Sequence, residues 1–322
     1  MTQFLLRECP ACGSSDARRE VRAGKTAETM TPDALRPFWA GLFKQKCFFS
    51  YHRCRGCGLL YSPVFFTPDQ LAELYARMAP NMDAVGDEAI VATQRGYFAR
   101  AAAQGFPGGG YLEIGPDVGH IVSEASLHGG FDRFWLFEPN LAIHDRLRDA
   151  AGRGAARLST GMDDLSPVPD GTVGLAVMVH VLDHLLDPLT MLTQIRAKLR
   201  PGGMLMIVTH DESSLLRRVM GTRWPPFCLQ HPELYNPATM RALLGRAGFD
   251  DVVVEGSRNV FPLDFLARQA AWAAGIRVRR VPLPPVPVGL KLGNILTLAT
   301  APVQAARSEA TLPRQEEVAR VA

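Results

Sequence analysis

The chain has 322 residues, 47% of them hydrophobic and 21% charged, which suits one large α/β domain plus a small appendage around a core of ordinary size. A net charge of +3, with no basic run interleaved with aromatic residues, argues against a nucleic-acid partner. No apolar stretch approaches the roughly 18 residues of a membrane span, and Met1 to Cys9 lacks a signal-peptide core, so no membrane partner and a cytoplasmic location are expected.

The first motif is Cys9-Pro10-Ala11-Cys12-Gly13, matched downstream by Cys54-Arg55-Gly56-Cys57-Gly58. Two C-x-x-C-G turns offer four thiolates at knuckle spacing, which a cytosolic chain uses as metal ligands more readily than as disulfides. Tetrahedral Zn2+ on Cys9, Cys12, Cys54 and Cys57 fits best, with redox thiols as the rival reading. The glycine after each pair lets the backbone turn so that amides point at the sulfurs. Four protein ligands close such a site, so its expected role is structural. Cys47 and His52 are near enough to act as substitute ligands, whereas Cys47 and Cys228 otherwise read as plain core or surface thiols. The long loop between the knuckles predicts a helix from about Pro32 to Phe43.

Thr67, Pro68 and Gln70 make a helix start, with Pro at the first helical position and Gln three residues after the cap. A second helix is expected over Asp87 to Gln104, followed by a glycine-rich hinge from Gly105 to Gly110. Strands and helices then alternate. The strand Tyr111-Leu112-Glu113-Ile114 runs into Gly115-Pro116-Asp117-Val118-Gly119, and a second strand, Phe134 to Phe137, ends in Glu138-Pro139-Asn140. An acid about 20 residues beyond a glycine loop is placed to accept hydrogen bonds from ribose hydroxyls. Further helices are expected over His120 to His128, Leu141 to Ala150, Leu189 to Leu199, Ala238 to Arg246 and Phe265 to Ala274. A helical segment should also begin at His210 and end near Gly221. Strands are expected over Ala155 to Ser159, Gly174 to Val179, Met204 to Thr209, Val252 to Glu255 and Asn294 to Thr300. Val281 to Pro287 reads as a proline-rich linker.

The glycine loop is not G-x-G-x-x-G. Its E-x-G-x-x-x-G pattern resembles motif I of the class I S-adenosylmethionine (SAM) methyltransferases, and Glu138 matches their ribose-binding acid. SAM has no pyrophosphate, so Glu113 beside its cationic end is tolerable where a dinucleotide would be repelled. A dehydrogenase is disfavoured on the same spacing. Leu182-Asp183-His184-Leu185-Leu186-Asp187-Pro188 resembles the signature after strand 4 of these enzymes, and Leu199-Arg200-Pro201-Gly202-Gly203 the one before strand 5. Gly174 departs from the acid commonly found at the start of strand 4. The order of the Cys57-Gly58-Leu59-Leu60-Tyr61-Ser62-Pro63 and Thr67-to-Tyr75 segments resembles a subgroup with an N-terminal zinc-binding segment, which includes sugar C-methyltransferases.

The resemblance implies a seven-stranded Rossmann-like α/β sheet over 105–303, behind a zinc-binding domain (1–66) and a helical connector (67–104), with a flexible tail (304–322). It implies SAM contacts at Glu113, Gly115, Pro116, Asp117, Gly119, Glu138, Pro139 and His180, with Met162 and Asp163 at the adenine. A roof insert over about 211–237 carries His231, Glu233 and Tyr235, and His231 is the preferred base because imidazole accepts protons near neutral pH. His180 and His184 at the strand 4 tip are the other base candidates. With Asp183 between them they resemble a cation-binding E-x-x-E-H cluster of some quinone-ring O-methyltransferases. The expected activity is methyl transfer to a small-molecule acceptor. The rival reading is a SAM-fold binding or assembly protein without catalysis, making partner contacts through its zinc domain.

Overall fold

The computed structural model describes residues 4–39, 47–76, 86–273, 276, 278 and 281–303. In the N-terminal segment β1 (Ala17–Val21), β2 (Tyr51–Cys54) and β3 (Leu60–Tyr61) pair antiparallel. The fourth strand of this sheet is the short run Glu233–Leu234, whose residues face Tyr61 and Leu60. The roof segment therefore completes the N-terminal sheet.

The main sheet has seven strands: β4 (Gly109–Ile114), β5 (Phe131–Phe137), β6 (Ala155–Ser159), β7 (Val173–Val179), β8 (Leu199–His210), β9 (Asp250–Gly256) and β10 (Asn294–Thr300). Their order is β6-β5-β4-β7-β8-β10-β9, with β10 antiparallel to both neighbours and the other pairs parallel. This is the expected Rossmann-like arrangement. Alternate residues serve two cores, as the period of two requires. Tyr111, Phe134, Leu136, Leu175, Val177, Met206 and Val208 pack with the helices Asp87–Gln104 and His120–His128. Leu112, Ile114, Ala176, Met178, Leu205 and Ile207 pack with the helices Pro188–Lys198 and Pro237–Arg246. That second core also takes in Cys9, Cys54, Leu59 and Tyr61, so the cysteine module and the main sheet share one apolar interior.

Thr67 and Gln70 exchange hydrogen bonds, Thr67 N–H to Gln70 Oε1 at 2.9 Å and Gln70 N–H to Thr67 Oγ1 at 3.3 Å, which starts the helix Pro68–Ala76 as expected. Other expectations need correction. The helix after Glu138 opens as a 3-10 turn at Leu141–Ile143 and becomes α only at His144–Ala151, because Asn140 Oδ1 caps Ala142 N–H. No helix starts at His210: β8 runs to that residue, Asp211 bridges to Tyr235, and its carboxylate accepts from Ser213 N–H at 2.8 Å. This side-chain turn defers the helix to Leu215–Met220, capped by Ser214. The helix expected from Pro32 is α only over Pro32–Leu35, then 3-10 over Arg36–Phe38, and its expected end at Phe43 lies outside the described residues. The helix expected over Phe265 to Ala274 spans Leu263–Ala273, and the tail 304–322 lies outside the described residues.

Candidate active site

The carboxyl ends of β4, β5, β7 and β8 converge, the position at which an open parallel sheet presents a crevice. After β4 the chain turns through three left-handed residues, Gly115 (φ 66°), Asp117 (φ 49°) and Gly119 (φ 82°). A Cβ on Gly115 would lie 2.7 Å from Val181 Cγ2, and one on Gly119 would lie 2.9 Å from Leu147 Cδ2, so both positions need glycine for space as well as conformation. Glu138, at the tip of β5, is buried. Its Oε2 accepts from Asp117 N–H at 3.2 Å and its Oε1 from Asn140 N–H at 2.8 Å, which ties the acid to the loop and leaves each oxygen further accepting capacity. Burial pushes its carboxyl above the ordinary range. Glu113 lies beneath the loop, 2% exposed, accepting from the Tyr111 hydroxyl at 2.5 Å, and burial pushes it up to about 8. Pro116 is buried, while Asp117 and Pro139 are exposed. Across β5 and β6, Met162 is half-buried and Asp163 exposed.

The glycine at the head of β7 has a steric reason. A Cβ on Gly174 would sit 2.0 Å from Pro107 O and 2.9 Å from Gly108 O, and the register of β7 against both neighbours shifts at this residue. The backbone ahead of β4 fills the space that a side chain would need.

Four imidazoles meet around Asp183, which is fully buried. His180, left-handed at φ 53°, is fixed by its N–H to Val208 O at 2.8 Å. Its ring centroid lies 4.7 Å from that of His210 at the end of β8; His210 is 5.1 Å from His231, and His231 is 4.8 Å from His184. Burial alone would raise the Asp183 carboxyl, but His231, His210, His184 and His180 hold it well below the usual carboxylate range. Burial pushes His180 and His210 down, and burial with the neighbouring His231 pushes His184 down to about 3. His231 is the exception: burial opposes its charge, yet Cys228 and Asp183 raise it to about 9. Its Nδ1 donates to Pro226 O at 2.7 Å and lies 3.3 Å from Cys228 Sγ. His184 Nδ1 is 2.8 Å from the Tyr75 hydroxyl.

The structure thus brings together His180, His184 and His231, with the Asp183 that the sequence placed between the first two, and adds His210, Cys228 and Tyr75. Glu233 is committed to an ion pair outside this group, and Tyr235 is buried with its hydroxyl unpartnered among the described residues. Both are 0% exposed, and Glu233 Oε2 pairs with Arg7 Nη2 at 2.9 Å, an anchor between the roof and the cysteine module. The Arg7 guanidinium also donates to Leu186 O at 2.8 Å. Burial pushes the Glu233 carboxyl up to about 7 against the pull of Arg7.

The four cysteines cluster as their spacing predicts. Cys9 and Cys57 sulfurs are 3.5 Å apart, as are those of Cys12 and Cys54, and all four lie within 4.8 Å of one another. A tetrahedron with zinc–sulfur bonds of about 2.3 Å has edges of about 3.8 Å, so the set is compatible with zinc. Gly13 and Gly58 are left-handed (φ 71° and 79°), and backbone N–H groups of Ala11, Ser14 and Leu59 donate to Cys9, Cys12 and Cys57. Cys47 packs instead in a separate core with Phe49 and Phe65.

No curated protein matches the chain. Among solved structures it is similar to a SAM-dependent methyltransferase from Thermotoga maritima, at 16% identity and a TM-score of 0.44 over 66% of this chain and 93% of that one. It is also similar to one from Mesorhizobium loti, at 18% identity and 0.44 over 65% and 99%, and to the YcgJ protein of Bacillus subtilis, at 13% and 0.45 over 64% and 98%. The family model for the methyltransferase domain matches residues 91–254, just over half of the chain, and the chain therefore belongs to the class I methyltransferases.

Proposed function

We propose that the protein transfers the methyl group of SAM to a small-molecule acceptor. The observation that carries this reading is the meeting, at the carboxyl end of the sheet, of a left-handed glycine loop tied to Glu138 with a cluster of four imidazoles around Asp183. Glu138, through its spare lone pairs, would take the ribose hydroxyls, and the 115–119 loop with Pro139 would carry the methionine end and the sugar. Met162 and Asp163 would border the adenine. His180 would stand between cofactor and acceptor.

Methyl transfer from a sulfonium is an in-line displacement, so the protein's task is to align the nucleophile and remove its proton. We assign the proton to His231. Its Nδ1 hydrogen is committed to Pro226 O, which leaves Nε2 as the accepting nitrogen. Because His231 is held near 9, it is charged at neutral pH, and turnover should rise with pH until that value is reached. His184, tied to Tyr75, would orient the acceptor. Glu233 and Tyr235 would hold the roof down and leave acceptor contact to the histidines. In the cysteine module we infer a zinc ion that closes the knuckles and takes no part in the chemistry.

Calorimetric titration with SAM, followed by methyl release from labelled SAM with candidate acceptors, tests the reading. SAM binding with turnover that falls about 10²- to 10⁴-fold in His231→Ala supports it. SAM binding without methyl release on any acceptor would favour a binding or assembly role, and no SAM binding would refute both.

A further inference from the structure

Among the described residues the carboxylate of Asp183 stands out. It is 0% exposed, and neither oxygen has a hydrogen-bond donor among the described residues. A bare buried anion is costly unless something positive sits against it. The nearest basic atom is His210 Nε2, 3.9 Å from Oδ2, beyond hydrogen-bond length. His210 Nδ1 lies 2.9 Å from Asn294 Oδ1, so the ring hydrogen belongs on Nδ1, and Nε2 points a lone pair at an anionic oxygen. On the other side His180 Nδ1 is also buried without a partner among the described residues. His210 Nε2 and the Asp183 carboxylate thus face one another as two lone-pair donors, with an unpartnered ring nitrogen of His180 alongside, and beyond the His231 charge a cation between them would relieve the repulsion.

We propose that His180, Asp183 and His210 form a second metal site, separate from the cysteine cluster, that takes a divalent first-row transition ion. One ligand atom from each lies within 4.8 Å of the others. Ligands about 2.1 Å from an ion are about 3 to 3.5 Å apart, so the set has to draw in only slightly to close on one. Two imidazoles and one carboxylate suit zinc, iron, manganese or cobalt and leave coordination positions open. The carbonyl-type contact from Asn294 to His210 is the outer-shell support that metal-bound histidines use to fix their tautomer. The left-handed backbone of His180 is the strained conformation that such a site exploits, because it turns the ring from the end of β7 toward His210. His210 keeps 21% of its side chain exposed, which gives an ion a way in. The site stands on its own geometry. Its role rests on the methyl-transfer reading: an open position beside His231 would bind an acceptor oxygen and make its hydroxyl easier to deprotonate.

The test loads the full chain with a single equivalent of zinc, which the four thiolates take first, and then titrates it with Co2+, without SAM or acceptor. The expected result is one zinc and one cobalt per chain, the cobalt showing ligand-field bands with no thiolate charge-transfer band. Asp183→Asn, close in shape to the original, and separately His180→Ala should each lose the cobalt and keep the zinc, while Cys54→Ser should lose zinc and keep the cobalt. Retained zinc reports that each variant has folded. Cobalt absent from the wild-type chain, or bound equally by the Asp183→Asn and His180→Ala variants, would overturn the proposal. Failure to bind SAM would sink the functional reading and leave this result standing.

Discussion

Replacing Glu113 by glutamine should change how stability depends on pH, and the size follows from burial. The carboxyl lies 2% exposed with the Tyr111 hydroxyl as its hydrogen-bond donor, and burial, with Asp117 and Glu138 adding repulsion, pushes it up to about 8 from the 4.5 of an ordinary glutamate. Between these values the folded chain keeps a proton that the unfolded chain has released, so folding stability falls as pH rises. Each pH unit in that window costs about 1.4 kcal/mol, which amounts to about 3 kcal/mol by pH 7 and about 5 kcal/mol above pH 9. Glutamine is neutral, nearly the same shape, and still accepts from Tyr111. Urea unfolding of both proteins from pH 4.5 to pH 9 should show nearly equal stability at the acid end and a growing advantage for Glu113→Gln toward the alkaline end. A difference that stays flat across the range would show that Glu113 titrates as an exposed acid. A variant weaker by several kcal/mol at every pH would show that the site requires the charge.

Glu138→Ala should weaken SAM binding by about 1.5 to 3 kcal/mol, measured calorimetrically, because charge-assisted bonds to the ribose are lost; unchanged affinity would remove Glu138 from the cofactor site. Cys54→Ser should lower the zinc content from one ion per chain and destabilise residues 1–62, and a metal-free protein with an unchanged melting curve would contradict the zinc assignment. Gly174→Ala should destabilise the fold by at least about 3 kcal/mol, since its Cβ would overlap Pro107 O. A soluble variant with wild-type urea resistance would refute the steric account. Arg7→Met should cost about 3 to 5 kcal/mol by leaving Glu233 buried and unpaired, and Arg7→Met with Glu233→Gln should regain much of that.

The sheet was legible because its strands are local patterns: apolar runs bounded by glycine, with Thr67 and Gln70 marking a helix start in four residues. The glycine loop and Glu138 were readable for the same reason, since their spacing is carried along a short stretch. What escaped notice depends on distant partners. Arg7 meets Glu233 across 226 positions, and nothing near either residue announces the pair. His210 reads as the start of a helix because Asp211 and Ser213 are good capping residues, whereas pairing with Asn294 keeps His210 in the strand and Asp211 bridges to Tyr235. Gly174 is uninterpretable without the Pro107–Gly108 backbone that occupies its side-chain space.

The short strand that pairs Glu233 with Tyr61 also imposes a timetable. On the ribosome the cysteine knuckles emerge early, but the strand that finishes their sheet follows 233 − 61 = 172 residues later. At about 5 to 20 residues per second this leaves about 10 to 35 s during which the outer edge of β3 has no partner. An open edge is a template for pairing with other chains. Ion capture by the cysteines can precede closure, since all four are already synthesised, whereas burial of Leu60 and Tyr61 must wait for the roof. A chain interrupted between β8 and the roof would hold its knuckles and expose that edge, and should self-associate on a timescale set by translation.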